Sequence, residues 1–249
     1  MVAPLRLDLQ GRDPLPMATD TDPAVTYSSY LALDELLGAQ RPRTDEHDEL
    51  LFIVVHQVYE LWFKQLLHEL RYLQTRLESG DTAHVLGTAR RILTILKTVV
   101  AQIDVLETMT PRQFTSFRSR LEAASGFQSK QFRELEAVLG ARPSDGATVF
   151  DSLLAYLRTQ GYDAPAEPPE AVQATLLDVY RDDGEPAQVC ERLVDLDEGM
   201  QEWRYRHLKM VERTIGAKIG TGGSAGAEYL RTTILRPVFP DLWAIRSEL

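Results

Sequence analysis

Between Thr44 and Glu78 the apolar residues Leu51, Val54, Val55, Val58, Leu61, Trp62, Leu66, Leu70, Leu73 and Leu77 return again and again to one side of an α-helix. No β-strand produces that spacing, because strand side chains alternate with a period of two. The stripe is also too wide to be covered by a single neighbour, so other elements must pack around it from more than one side. Thr44 is expected to cap this helix, with Asp45, Glu46 and Asp48 complementing the positive end of its dipole.

The same period governs most of the remaining chain. After the break at Ser79-Gly80, a second helix is expected over residues 82–108. Thr110-Pro111-Arg112-Gln113 then reads as a new start, with Thr as N-cap, Pro at the first helical position and Gln three residues after the cap. Further helices are expected at 128–139, 146–160, 169–181 and 185–216. A proline- and acid-rich stretch over residues 163–170 reads as a surface linker. Gly220-Thr-Gly-Gly-Ser-Ala-Gly226 is a glycine-rich loop, followed by a short helix and a C-terminal segment broken by Pro237 and Pro240. No stretch carries a period-two pattern, so the fold class is all-α, a helical bundle. Residues 1–26, rich in Pro and Asp, read as an arm without structure of its own, and 27–249 as a single helical domain.

Charge and cysteine content narrow the function classes. The formal net charge is −10 and the pI about 5.0, which argues against nucleic acid or an anionic membrane as partner. Cys190 is the only cysteine, so neither an intrachain disulfide nor a CxxC metal site can form. The most apolar unbroken run, Leu51–Val55, is too short to span a bilayer, and the N-terminus has no apolar core of the signal-peptide kind. Together these lead to the expectation of a cytoplasmic protein.

Five histidines carry most of the chemical potential: His47, His56, His68, His84 and His207. His56 lies inside the apolar run Phe52-Ile-Val-Val-His-Gln-Val, and His207 follows Trp203-Arg-Tyr-Arg. A lone histidine on a buried helical face is more often a hydrogen-bonded core residue than a ligand. Two of them on separate helices change that balance, because bundle cores are where haem and metals are held between facing helices. A single imidazole is the usual protein ligand of an oxygen-binding haem, and the residues alone leave open which histidine would bind iron. Zinc is a weaker reading, with no HExxH and no cysteine cluster. His47 and His84 stand among polar residues and read as solvated. The loop GTGGSAG lacks the Lys-Ser/Thr ending of a P-loop, which leaves a plain connector or a mobile lid in which Thr221 and Ser224 offer hydroxyls. Arg118, beside Phe114 and Phe117, is either solvated or a planar fork suited to a carboxylate.

Larger blocks carry a resemblance. Tyr27-Ser-Ser-Tyr30-Leu-Ala-Leu-Asp and His47-Asp-Glu-Leu-Leu-Phe-Ile-Val-Val-His-Gln-Val-Tyr-Glu-Leu-Trp-Phe-Lys64 are the first two. Leu106-Glu-Thr-Met-Thr-Pro111, Phe117-Arg118, Ser125-Gly-Phe-Gln-Ser129, Trp203-Arg-Tyr-Arg-His207 and Gly220-Thr-Gly-Gly-Ser224 come after them in order. The set resembles the tryptophan 2,3-dioxygenases.

The resemblance implies one haem b per subunit with His207 as the proximal iron ligand, and His56 as the distal histidine that meets the indole N–H of L-tryptophan. It implies Arg118 on the substrate carboxylate, Thr221 closing over the amino acid's polar end, Phe52 and Leu121 as apolar walls, and Ser125 near the haem edge. Tyr27 and Tyr30 would reach a neighbouring subunit's site in a homotetramer. The implied reaction takes L-tryptophan and O2 to N-formyl-L-kynurenine, the first step of tryptophan catabolism. Two departures stand out: the stretch between Ser129 and Val194 is shorter than in the family, and Ala123 stands where a proline is expected. Two other readings remain: a related haem monooxygenase acting on a modified tryptophan or another aromatic amino acid, and a non-catalytic haem-binding or oligomeric scaffold. A scaffold would need none of His56, Arg118 and Thr221.

Overall fold

The computed structural model describes residues 24–249, apart from Ala123, Ile219 and residues 221–225. The chain divides into two compact units, 1–40 and 41–249. Among the described residues the first holds two short helices, α1 (Tyr27–Tyr30) and α2 (Leu33–Leu37), neither of which contains a buried residue. Thr26 starts α1 through a capping box, its hydroxyl accepting from the Ser29 N–H while Ser29 Oγ accepts from the Thr26 N–H.

The second unit is built on α3 (His47–Glu78), α4 (Thr82–Leu106) and α9 (Glu185–Ile215). Around them stand α5 (Pro111–Arg118), α6 (Lys130–Val138), α7 (Val149–Thr159) and α8 (Pro169–Asp182). The chain closes with α10 (Ala227–Arg231) and α11 (Pro240–Ala244). No strand occurs among the described residues. α3 is the spine: it packs against α4, α6 and α7, which is what its wide stripe requires. By length and composition α3 would also cross a membrane, with a mean hydropathy of 1.2 in its most apolar window; here Leu70, Leu73 and Leu77 are the centre of a protein core.

Three local expectations need correction. Thr44 does not cap α3. The N-cap is Glu46, whose side chain makes no capping bond, and Thr44 is drawn instead to the buried carboxylate of Glu49. That carboxylate accepts the Thr44 hydroxyl at 2.5 Å and the N–H groups of Thr44 and Arg43 at 2.8 and 2.9 Å. Burial pushes the Glu49 carboxyl up, but these hydrogen bonds outweigh it and hold the pKa below the usual carboxylate range. The linker over 163–170 is not wholly on the surface: Ala164 is buried, its carbonyl accepting from Arg158 Nε and that of Asp163 from the Thr175 hydroxyl. Pro240 does not break a helix but opens α11 as its first residue. The capping box at Thr110 and Gln113 forms as expected.

α4 and α9 approach closely at Gly199, where an added Cβ would stand 2.7 Å from Leu96 Cδ2. Ion pairs hold the same two helices farther along, with Arg206 on Asp104 at 2.5 Å and on Glu107 at 3.5 Å. On its other side α9 holds the C-terminal segment through two buried polar residues. Asp197 Oδ2 accepts from the backbone N–H groups of Val238 and Phe239, each at 2.8 Å, and from Trp243 Nε1 at 2.9 Å. Arg204 donates to the carbonyl of Arg236 at 2.7 Å.

Candidate active site

A second apolar cluster, separate from the main core, forms where α3, α4, α5 and α9 meet. It contains Val55, Ile103, Leu106, Met109, Phe114, Phe117 and Met210, with Phe52, Leu121 and Trp203 packed against it. α5 reaches both α3 and α9. Phe52 stands 5.7 Å from both Phe114 and Phe117, ring to ring, and those two meet edge to face at 5.5 Å. Gln102 of α4 donates to the Val55 carbonyl and so ties α3 down behind the cluster.

His56 enters this apolar setting from α3, one turn after Phe52. The two rings lie 4.1 Å apart, and Nδ1 is 2.7 Å from the Phe52 carbonyl oxygen. A carbonyl only accepts, so Nδ1 carries the proton and Nε2 of the neutral ring is left as an acceptor. Burial lowers the pKa of His56 against the opposing pull of the Phe52 hydrogen bond and of Glu60. Residues 52 and 56 therefore form a unit: the backbone of one sets the tautomer of the other.

His207 comes from α9. Burial, reinforced by the charge of His56, holds its pKa down to about 4, so the two imidazoles are close enough to feel one another and both are neutral near pH 7. Its ring lies parallel to that of Trp203, one turn earlier, at 5.1 Å and 13°. Nδ1 is buried with no hydrogen-bond partner among the described residues. A neutral imidazole in an apolar enclosure, with a lone pair available and no carboxylate bound to it, fits a ligand of haem iron. Among the described residues no group of three or more His, Cys, Asp or Glu is arranged for a metal ion, and a haem needs none.

The other expected site residues are placed less tightly. Leu121 packs against the same cluster. Arg118 is the last residue of α5, half-buried and next to the fully buried Phe117. Ser125, also half-buried, precedes a short turn at Gly126–Gln128. Tyr27 and Tyr30 belong to the first unit, on α1, and are 77% and 78% exposed. Thr221 lies outside the described residues. His47, His68 and His84 are exposed, and His84 pairs with Asp81 rather than with solvent alone. A surface cleft of about 370 Å³, lined by His68, Tyr72, His84 and Arg91, opens elsewhere on α3, about 18–24 Å along the helix from His56 by helical rise. Glu69 at its floor is taken up by Arg91 and Gln65.

Sequence reading missed Trp203 as the neighbour of His207, although the i, i+4 spacing in Trp203-Arg-Tyr-Arg-His207 was there to find it. It also named Phe114 and Phe117 without joining them to Phe52 in one aromatic cluster.

The family model described as Tryptophan 2,3-dioxygenase matches residues 17–153 and 168–249. The chain belongs to this family. The unmatched residues 154–167 lie within the stretch that reads as shorter than in the family. Similar relatives include the tryptophan 2,3-dioxygenase of Anaeromyxobacter dehalogenans (strain 2CP-C), 64% identical over 92% of this chain and 100% of that protein. That of Anaeromyxobacter sp. (strain K) is 66% identical over the same shares. That of Herpetosiphon aurantiacus is 56% identical over 91% and 99%.

Proposed function

We propose that this chain is a haem-dependent dioxygenase that takes L-tryptophan and O2 to N-formyl-L-kynurenine. The observation that carries the reading is the His56 tautomer: a hydrogen-bond acceptor, Nε2, offered beside an aromatic cluster and near a second neutral histidine. An indole needs a flat apolar enclosure and one acceptor for its N–H, and a base that stays neutral does not compete by binding water strongly. Phe52, Phe114, Phe117 and Leu121 supply the enclosure and exclude water. His207 would hold one haem b per subunit, with Ser125 as a further haem-side residue, and the haem would supply the activation of oxygen.

Arg118 takes the carboxylate with its planar fork, and Thr221 takes the polar end of the amino acid. These two assignments, like those of Tyr27 and Tyr30 to a neighbouring subunit's site in a homotetramer, rest on family membership. The exposure of both tyrosines agrees with a partner-facing role. A cytoplasmic location suits the single buried cysteine.

The test is the fate of oxygen. Haem-loaded, reduced protein given L-tryptophan and 18O2 should yield product with two labelled atoms over many turnovers, without further reductant. A product with one label, or turnover that stops unless reductant or peroxide is added, would establish the monooxygenase reading instead. No product from protein that binds both haem and tryptophan would leave the scaffold.

A further inference from the structure

A histidine that binds a metal ordinarily donates its other ring N–H to a carboxylate or a carbonyl, and that bond fixes the plane of the ring. His207 has no such bond: its Nδ1 is buried without a partner among the described residues. Something else must hold the ring, because an imidazole free to turn about its last torsion is a poor ligand. The group that touches its face is Trp203, parallel at 5.1 Å and 13°.

Trp203 is itself held on several sides. Phe132 lies 4.8 Å away at 37°, and Phe63 meets it edge to face at 6.3 Å and 82°. It bridges the two apolar clusters, packing against both. Its Nε1 is buried and also lacks a partner among the described residues. That indole is therefore not retained for a hydrogen bond; a buried, unpaired N–H carries a cost that a phenylalanine would avoid. What it contributes is a rigid surface.

We infer that Trp203 is the positioning residue for His207: its clamped indole fixes the imidazole plane by stacking, in the role that a hydrogen bond from Nδ1 usually fills. This rests on His207 being the haem ligand. In that role Trp203 acts through the ring beside it.

The experiment uses haem-loaded protein and follows haem transfer to excess apomyoglobin. Trp203→Met, which fills the gap with a flexible chain, should speed haem loss by about ten- to a hundredfold. Trp203→Phe, which keeps a stacking face, should change it by less than about threefold. In resonance Raman spectra of the ferrous protein, the iron–imidazole band should broaden in Trp203→Met and stay narrow in Trp203→Phe. On a His207→Ala background, Trp203→Met should add nothing.

The inference is overturned if folded Trp203→Met keeps haem at the parent rate with a narrow band, or if the Met and Phe variants behave alike. It is also overturned if Trp203→Met speeds haem loss equally without His207, which would be a packing effect. Should Trp203→Met not fold, Trp203→Leu, which also lacks a flat face, takes its place: a broadened band is expected, and a band as narrow as in Trp203→Phe overturns the inference. If His207→Ala alone retains haem as the parent does, it is the ligand assignment that fails, an outcome distinct from all of these.

Discussion

Replacing Asp197 by alanine tests how the C-terminal segment is held. One oxygen of this fully buried carboxylate accepts the N–H groups of Val238 and Phe239 and the indole N–H of Trp243, and the other accepts from Gln201. Val238 and Phe239 are buried, so water does not replace what is lost. In Asp197→Ala two backbone donors remain inside without acceptors, each worth about 1–3 kcal/mol, and a charge-assisted bond to the indole is gone. Allowing for partial relaxation, unfolding stability should fall by about 3–5 kcal/mol. At about 2–4 °C per kcal/mol for a chain of this length, the melting temperature should drop by about 6–20 °C. Asp197→Asn keeps an acceptor oxygen of the same shape and loses the charge, so about half that cost is expected. Urea unfolding followed by circular dichroism gives the energies, and amide exchange at Val238 and Phe239 shows where they act. A loss below about 0.5 kcal/mol in Asp197→Ala, or unchanged protection of those two amides, would refute the reasoning.

Three further outcomes are expected from the geometry. Because burial holds His207 down to about 4, below its ordinary 6.5, the haem-free protein should keep the associated stability above about pH 6.5 and lose it as pH falls towards 4. The gap corresponds to about 3 kcal/mol, and His207→Phe should flatten that part of the profile relative to the parent; equal slopes would contradict it. Glu122 adopts a φ of 49°, and its ion pair with Arg43 is exposed on both sides. Glu122→Gly should raise stability by about 0.5–1 kcal/mol in thermal unfolding, the relief of backbone strain exceeding the pair and the added chain entropy. Arg118→Leu should lower kcat/KM for L-tryptophan by about 30- to 1000-fold, with Arg118→Lys recovering part, while turnover of tryptamine, which has no carboxylate, stays nearly the same. A comparable loss on tryptamine would make Arg118 structural.

The long helices were readable because their period is long and their stops are chemical. Ser79-Gly80 ends α3, Asp81 caps α4 by accepting from the His84 N–H, and Thr110 with Gln113 opens α5. Thr44 misled because threonine is as good a partner for a buried carboxylate as for a helix end, and only the fold reveals that Glu49 is buried. α1 and α2 escaped notice since neither buries a residue, so no apolar period marks them. The boundary between units, at residues 40 and 41, had no composition shift to announce it. For the site, His56 and His207 stood out as histidines in apolar surroundings. The tautomer of His56 and the stack on His207 did not, because each depends on where a neighbour one turn away points its carbonyl or its ring.

Gly199 carries a consequence for how this chain can change. The gauge between α4 and α9 is set there by an atom that is missing, since a methyl group would land 2.7 Å from Leu96 Cδ2. Leu96 is itself buried and has little room to withdraw. Alanine at 199 alone overfills the gap, and a shorter side chain at 96 alone opens a void, so each single step is a loss. Taken together, as Gly199→Ala with Leu96→Val, the two should largely cancel. The pair forms a valley that a lineage crosses only by carrying one unfavourable change until the other arrives. Libraries that vary one position at a time would score both sites as closed and never find the second solution on the far side.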